Sequence, residues 1–128
     1  MRTVLDASAL LAGLLKEPGA DRVAEALDGA VISAVNLAEV TAGLVKNGAT
    51  EREARSALRS AGVTVLAADE ELGIQAGLLR SQTDRVGLSL GDRFCLSLAR
   101  RLDSPALTAD RKWLTIAEDV GVEIELIR

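Results

Sequence analysis

Apolar and polar positions switch repeatedly between two rhythms along the chain, and the switches predict the elements. Arg2-Thr-Val-Leu-Asp6 has the length and character of a short buried strand, and Ala7 to Leu15 follows at once as an Ala/Leu-rich helix. Pro18-Gly19 breaks that helix, and Asp21 to Leu27 predicts a second, short one ending near Asp28-Gly29. Ala30 to Ser33 is a strand, and a helix runs from about Asn36 to Lys46, where Asn47-Gly48 stops it. Thr50 with Glu53 three residues on has the spacing of a capping box and opens a helix to Ser60. Gly62 to Leu66 predicts a third strand, and Asp69 to about Gln82 one long helix. After a loop from Asp84 to Gly87, Ser89 and Asp92 sit at the start of a helix through Leu102. Pro105 to Thr108 is a fourth strand, Arg111 to about Asp119 a helix, and Val122 to Ile127 a last strand. Strand and helix alternate throughout, which predicts an α/β fold: a mostly parallel sheet between helices on both faces. In such sheets the functional crevice lies beyond the carboxyl ends of the strands.

Composition narrows what that crevice could do. At 128 residues the chain fits one domain, residues 1–128, with no linker, repeat or low-complexity tract. Such a chain buries a core without disulfides or a structural metal. Hydrophobic residues make up 48% and charged residues 27%, the balance of an ordinary globular protein. The chain has no His, which excludes Ser-His-Asp and Cys-His catalysis and His-ligated zinc. The single cysteine, Cys95, forms no internal disulfide and fits a reducing cytosol. Phe94 and Trp113 are the only aromatics, too few for a base-stacking platform. The apolar run Ala7 to Leu15 is far shorter than the roughly 20 residues of a membrane span. It also follows Asp6 with no basic segment beyond Arg2, unlike a signal peptide. A soluble, cytoplasmic protein is the expectation.

The net charge is −4, but residues 80–112 carry seven basic side chains against four acidic ones. An acidic chain is a poor non-specific polyanion binder, since that affinity rests on many Lys and Arg contacts with phosphates. Arg80, Arg85, Arg93, Arg100, Arg101, Arg111 and Lys112 form either a basic rim around an acidic pocket or ordinary solvated helix faces.

Four acids stand where the pattern puts the crevice. Asp6 ends the first strand and is the only charge between Thr3 and Leu15; Asp110 ends the fourth strand. Each is also placed to cap the helix after it, and Ser89-Leu-Gly-Asp92 has the spacing of a capping box. Glu39 is the only charge from Gly29 to Val45, in a helix otherwise apolar, small or neutral, and is expected to be a partly buried carboxylate needing a partner. Carboxylates gathered at about 4 Å repel by roughly 4 kcal/mol per pair at an effective dielectric of 20. Either their pKa values rise or a cation neutralises them. All-oxygen ligation suits Mg²⁺ or Mn²⁺. Such an ion activates water toward a phosphoryl centre without any nucleophilic side chain.

Val4-Leu-Asp-Ala-Ser-Ala-Leu10, Ile32-Ser-Ala-Val-Asn-Leu-Ala-Glu-Val40, Leu88-Ser-Leu-Gly-Asp-Arg-Phe-Cys-Leu96 and Leu107-Thr-Ala-Asp-Arg-Lys-Trp113 together resemble the PIN-domain family. More narrowly, they resemble the VapC toxins of bacterial type II toxin–antitoxin pairs. The resemblance covers nearly the whole chain in order. It implies a three-layer α/β/α sandwich and a Mg²⁺- or Mn²⁺-dependent endoribonuclease that leaves 5′-phosphate and 3′-hydroxyl ends. Asp6, Glu39, Asp92 and Asp110 match the family's acidic quartet, with Asp6 and Asp92 as direct metal ligands. Ser8 and Thr108 match small hydroxyl positions that orient ligands or waters, and Ser33 and Asn36 are further candidates. The family also implies an RNA substrate, a homodimer and a cognate antitoxin whose C-terminal segment lies in a groove over the site. Leu10, Leu11, Leu14 and Leu15 are apolar enough to line such a groove or to belong to the core or dimer interface.

Other classes fit less well. A haloacid-dehalogenase-like phosphatase needs a second Asp two residues after the first strand's Asp, where this chain has Ser8. A receiver-like switch needs an acidic pair after that strand and an Asp after a central one; Leu66 is followed by Ala67-Ala68. No glycine-rich loop follows the first strand, as nucleotide binding would require. The non-enzymatic alternative is a PIN-like binding module that associates with RNA or a protein partner without cutting.

Overall fold

The structure, a computed structural model, describes residues 2–128. Five strands form one sheet: β1 (Val4–Leu5), β2 (Val31–Ser33), β3 (Thr64–Leu66), β4 (Ala106–Thr108) and β5 (Ile124–Leu126). Their order is β3-β2-β1-β4-β5 and every pairing is parallel, with Val4 opposite both Val31 and Ala106. The three central strands, β1, β2 and β4, are mostly apolar because both of their faces are covered.

Successive strand residues point to opposite faces, and each face has its own core. Val4, Val31 and Ala106 pack with α5 (Glu70–Leu78), α7 (Leu90–Arg101) and α8 (Ala117–Val120), around Leu72, Leu96, Leu98, Trp113 and Val120. Leu5, Ile32 and Leu107 pack with α1 (Ala7–Leu15), α2 (Ala20–Ala26), α3 (Ala34–Lys46) and α4 (Glu51–Ala61), around Leu10, Val23, Val40 and Ala54. The result is the expected α/β/α sandwich. Leu10 is fully buried in this second core, and Leu11, Leu14 and Leu15 are half-buried against it. No helix among the described residues is long and apolar enough to cross a membrane.

Two predicted helices break differently from expectation. The long one from Asp69 to Gln82 is α5, a separate turn α6 (Arg80–Thr83) and a 3₁₀ turn at Asp84–Val86. Gly73 and Gly77 lie inside α5, and each weakens a helix by about 1 kcal/mol relative to Ala. The segment after Arg111 begins as a 3₁₀ turn, Arg111–Thr115, before α8. There the Asp110 side chain accepts a hydrogen bond from the Lys112 amide only two residues on, which tightens the first turn.

Topology locates the crevice. From β1 the chain winds outward through β2 to β3, then returns to place β4 on the other side of β1. The sheet therefore switches direction between β1 and β4, the place where such sheets bind ligands at the carboxyl ends of their strands.

Candidate active site

One residue separates β1 from α1, and it is Asp6. It occupies the N-cap position with extended backbone (φ −72°, ψ 155°), yet its side chain makes no cap hydrogen bond. Capping, the simplest explanation of an Asp there, does not hold. Instead Oδ2 accepts hydrogen bonds from Ser8 Oγ at 2.6 Å and Thr108 Oγ1 at 2.9 Å. Those hydroxyls are fixed in turn: Ser8 Oγ accepts from the Ala109 amide and Thr108 Oγ1 from the Asp110 amide. Thr108 is the last residue of β4, so this network ties the ends of the two switch-point strands together. Asp6 is only 4% exposed. Burial pushes its pKa up from 3.8 to about 6; the Ser8 hydrogen bond opposes this, the nearby Asp92 charge adds to it, and Thr108 opposes it again.

Asp110 follows Thr108, with Oδ1 held by the Lys112 amide at 3.0 Å and Lys112 Nζ 3.9 Å from Oδ2. Asp92 sits in the first turn of α7 within a complete capping box: its Oδ2 accepts from the Ser89 amide at 2.8 Å, and its own amide donates to Ser89 Oγ. For these two the capping role holds alongside any other.

Glu39 corrects an expectation, because it is exposed rather than partly buried. It is held nonetheless. Asn36, fully buried, donates from Nδ2 to Glu39 Oε1 at 2.8 Å and to the Gly91 carbonyl at 2.9 Å, while Ser33 Oγ donates to Asn36 Oδ1 at 2.7 Å. Gly91 is the residue that the sequence did not single out. A Cβ there would overlap the Glu39 carboxylate, so α3 and α7 approach this closely only because position 91 has no side chain. The available signal was a glycine inside the opening turn of a helix, where it costs propensity.

The fold thus brings acids from four separate segments to one edge of the sheet. Asp6, Asp92 and Glu39 all act on the buried Cys95 thiol, whose pKa burial raises first and those three charges raise further. No three of the described acids form a preassembled metal cage. The donor set still fits a hard cation. Asp6, Asp92 and Glu39 each have one oxygen bonded to the protein and the other without a hydrogen bond, and Asp110 Oδ2 has only the distant Lys112 ammonium.

The basic rim does not assemble as one feature. Arg80 pairs with Asp84, Arg85 with Asp119, and Arg101 makes a two-pronged pair with Asp69. Arg101 is nine residues beyond Asp92 along α7, about 13 Å at 1.5 Å per residue. Arg93, Arg111 and Lys112 are neighbours of the acids in sequence, and Arg111 donates to the Arg128 carbonyl.

The sequence match to known families is decisive here: the PIN domain family matches residues 3–119. The chain belongs to the PIN domain family. No curated protein sequence matches it. Among solved structures, the PIN fold of this chain is similar to that in the DNA-bound VapBC from Salmonella typhimurium, at TM-score 0.75 and 22% identity over 100% of this chain and 99% of that one. It is similar to Mycobacterium tuberculosis VapC20, a sarcin-ricin loop cleaving toxin, at TM-score 0.72 and 17% identity, over 88% and 93%. It is also similar to VapBC-5 of the VapBC toxin–antitoxin family from Mycobacterium tuberculosis, at TM-score 0.63 and 26% identity, over 99% and 98%. This PIN domain's sheet edge is the one that carries the acids.

Proposed function

We propose that this PIN domain, spanning residues 1–128, is the toxin component of a type II toxin–antitoxin pair, a divalent-metal-dependent endoribonuclease acting in the cytoplasm. The observation that carries this is the set of four acids, each anchored through one oxygen with the other free of hydrogen bonds, at the switch point of the sheet. The similarity to VapBC complexes and to an RNA-cleaving VapC supports the partner and the substrate class.

Asp6 and Asp92 would hold Mg²⁺ or Mn²⁺, with Glu39 and Asp110 completing the site. The ion, when bound, would lower the pKa of a water and stabilise charge on a phosphoryl oxygen. The protein's part is positional: Ser8 and Thr108 lock the Asp6 carboxylate through Oδ2, and the Ser89 capping box fixes Asp92 to the rigid start of α7. The substrate is RNA, and the chain works as a homodimer restrained by a cognate antitoxin.

The test is melting temperature against added Mn²⁺ and Mg²⁺ for the parent and Asp92→Asn. A ligand that binds only the folded state adds about 2.7 kcal/mol at 100 times its dissociation constant. A rise in the parent that disappears in Asp92→Asn, with loss of RNA cleavage, is the expected result. No rise in either protein favours the non-catalytic binding module and overturns the metal site.

A further inference from the structure

The Asn36 cluster lies between the acids, and no part of the proposed mechanism uses it. Asn36 is 0% exposed, and its side-chain oxygen and both of its Nδ2 protons are engaged. Its Oδ1 takes the Ser33 hydroxyl, and its two Nδ2 protons go to two different helices: one to Glu39 on its own helix, the other to the Gly91 carbonyl on α7. Ser33 is itself fixed, since its Oγ accepts from the Asn36 amide as the N-cap of α3. The chain of contacts therefore runs from the end of β2, through Asn36, to Glu39 and to the residue beside Asp92.

Glu39 needs such a device. It is exposed, and a free glutamate side chain on a helix surface samples many rotamers, at an entropy cost when a ligand must order it. It also stands near other negative charge. Asn36 supplies one donor to the carboxylate, and Gly91 leaves room for it, because a Cβ at 91 would occupy the carboxylate's place. Since the same Nδ2 group holds the backbone of α7, moving Asn36 would move Glu39 and the α7 start together.

We propose that Asn36 is a positioning residue: it sets the Glu39 carboxylate and the start of α7 at a fixed separation, so that Glu39 and Asp92 face a shared cation as one unit. The inference rests on the metal-dependent function proposed above for its consequence, but the clamp itself exists without metal and is tested separately.

The first measurement is metal-free. Solvent exchange of the two Asn36 side-chain amide protons is followed by ¹⁵N-resolved NMR in the parent and in Glu39→Ala. In the parent both protons are protected, one by each partner. Removing the carboxylate should expose one proton and speed its exchange while the proton bonded to the Gly91 carbonyl stays protected. Equal exchange in both proteins overturns the clamp, whatever the metal does.

The second measurement is Mn²⁺ affinity by calorimetry for parent, Asn36→Ala, Glu39→Gln and the double variant. Loss of an outer-shell partner weakens metal binding by about 10- to 100-fold. Asn36→Ala should weaken binding within that range, and the loss in the double variant should fall short of the sum of the two single losses, because Asn36 acts in part through Glu39. Additive losses, or parental affinity in a folded Asn36→Ala, overturn the inference. If Asn36→Ala does not fold, Gly91→Ala takes its place: it removes no hydrogen-bonding group and suits a helix, yet its methyl displaces the Glu39 carboxylate from the Asn36 amide. It should weaken Mn²⁺ by a similar factor, and unchanged affinity again overturns the proposal. A parent that takes up no Mn²⁺ instead removes the metal-dependent function and, with it, the shared cation, while the exchange experiment decides the clamp.

Discussion

Replacing Asp6 by Asn changes one atom and tests the electrostatics of the whole acidic edge. Burial raises the Asp6 pKa from 3.8 to about 6, with the Asp92 charge adding to it against the two hydroxyl hydrogen bonds. A shift of about two units corresponds to roughly 3 kcal/mol at 1.36 kcal/mol per unit. Between pH 3.8 and about 6 the unfolded chain has released this proton while the folded chain still holds it. Stability therefore falls as pH rises through that window, and the full cost is present above it. Asn carries no charge to bury, and its Oδ1 accepts the same hydrogen bonds from Ser8 and Thr108. In the presence of a chelator, Asp6→Asn should be more stable than the parent near neutral pH by up to about 3 kcal/mol, and the gain should shrink toward zero near pH 4.

Urea unfolding followed by the fluorescence of Trp113, the one tryptophan and fully buried, reads this directly. The difference between the two proteins is the informative quantity, because other groups pull the other way. Glu53, held below the usual range by the Thr50 amide, and Asp69, held down by Arg101, both stabilise the fold as pH rises. Subtracting variant from parent cancels them. A difference that does not depend on pH, or that grows toward acid, would show that Asp6 is not a strained buried carboxylate.

Three further outcomes are expected. Ser8→Ala removes the 2.6 Å hydrogen bond to Asp6 and the acceptor for the Ala109 amide; it should cost about 2 kcal/mol near neutral pH and extend the upper end of the window in which stability falls with rising pH. Glu39→Gln should weaken Mn²⁺ binding by about tenfold or more in calorimetry. Its effect on the melting temperature of the metal-free protein should be small, because the carboxylate is exposed and its bond to Asn36 survives in the amide. Gly13→Ala would set a Cβ 2.8 Å from the buried Val23 Cγ1, where a β-branched side chain has no room to turn. Thermal unfolding should register a loss of about 1–3 kcal/mol, and an unchanged melting temperature would mean that α1 and α2 separate freely.

Much of this geometry follows from one-dimensional pattern. A lone Asp between an apolar strand and an apolar helix reads from sequence as a helix cap or as a residue facing the crevice, and in the fold Asp6 makes no cap hydrogen bond. Asp92 and Asp110 could not be separated from caps by sequence, and in the folded chain they are caps as well. Glu39 is the exception, because an isolated charge on a helix is compatible with burial or with an exposed position held by one neighbour; only the packing of α7 against α3 distinguishes them. The same packing hides Gly91, whose role lies in what it leaves empty. The basic rim dissolved because closeness in sequence says nothing about which end of a helix a residue occupies, and Asp69, Asp84 and Asp119 claimed three of its members.

The four acids do not share the cost of their proximity equally. Asp92 and Asp110 each satisfy a backbone amide at the start of a helical segment, and a cap contributes about 1 kcal/mol to stability. That gain offsets part of the repulsion at the positions where charge is also wanted. Glu39 is exposed, so water screens it. Asp6 has neither relief: it is buried, its side chain makes no cap hydrogen bond, and only neutral donors, chiefly the Ser8 and Thr108 hydroxyls, answer its charge. The unfavourable electrostatics of the edge are thus concentrated on the one acid at the centre of the sheet. A cation binding there would recover the most free energy at Asp6, because that group has the most solvation to regain. The order of effects follows: loss of Asp6 should stabilise the empty fold most and weaken cation uptake most, whereas loss of Asp110 should do least of either.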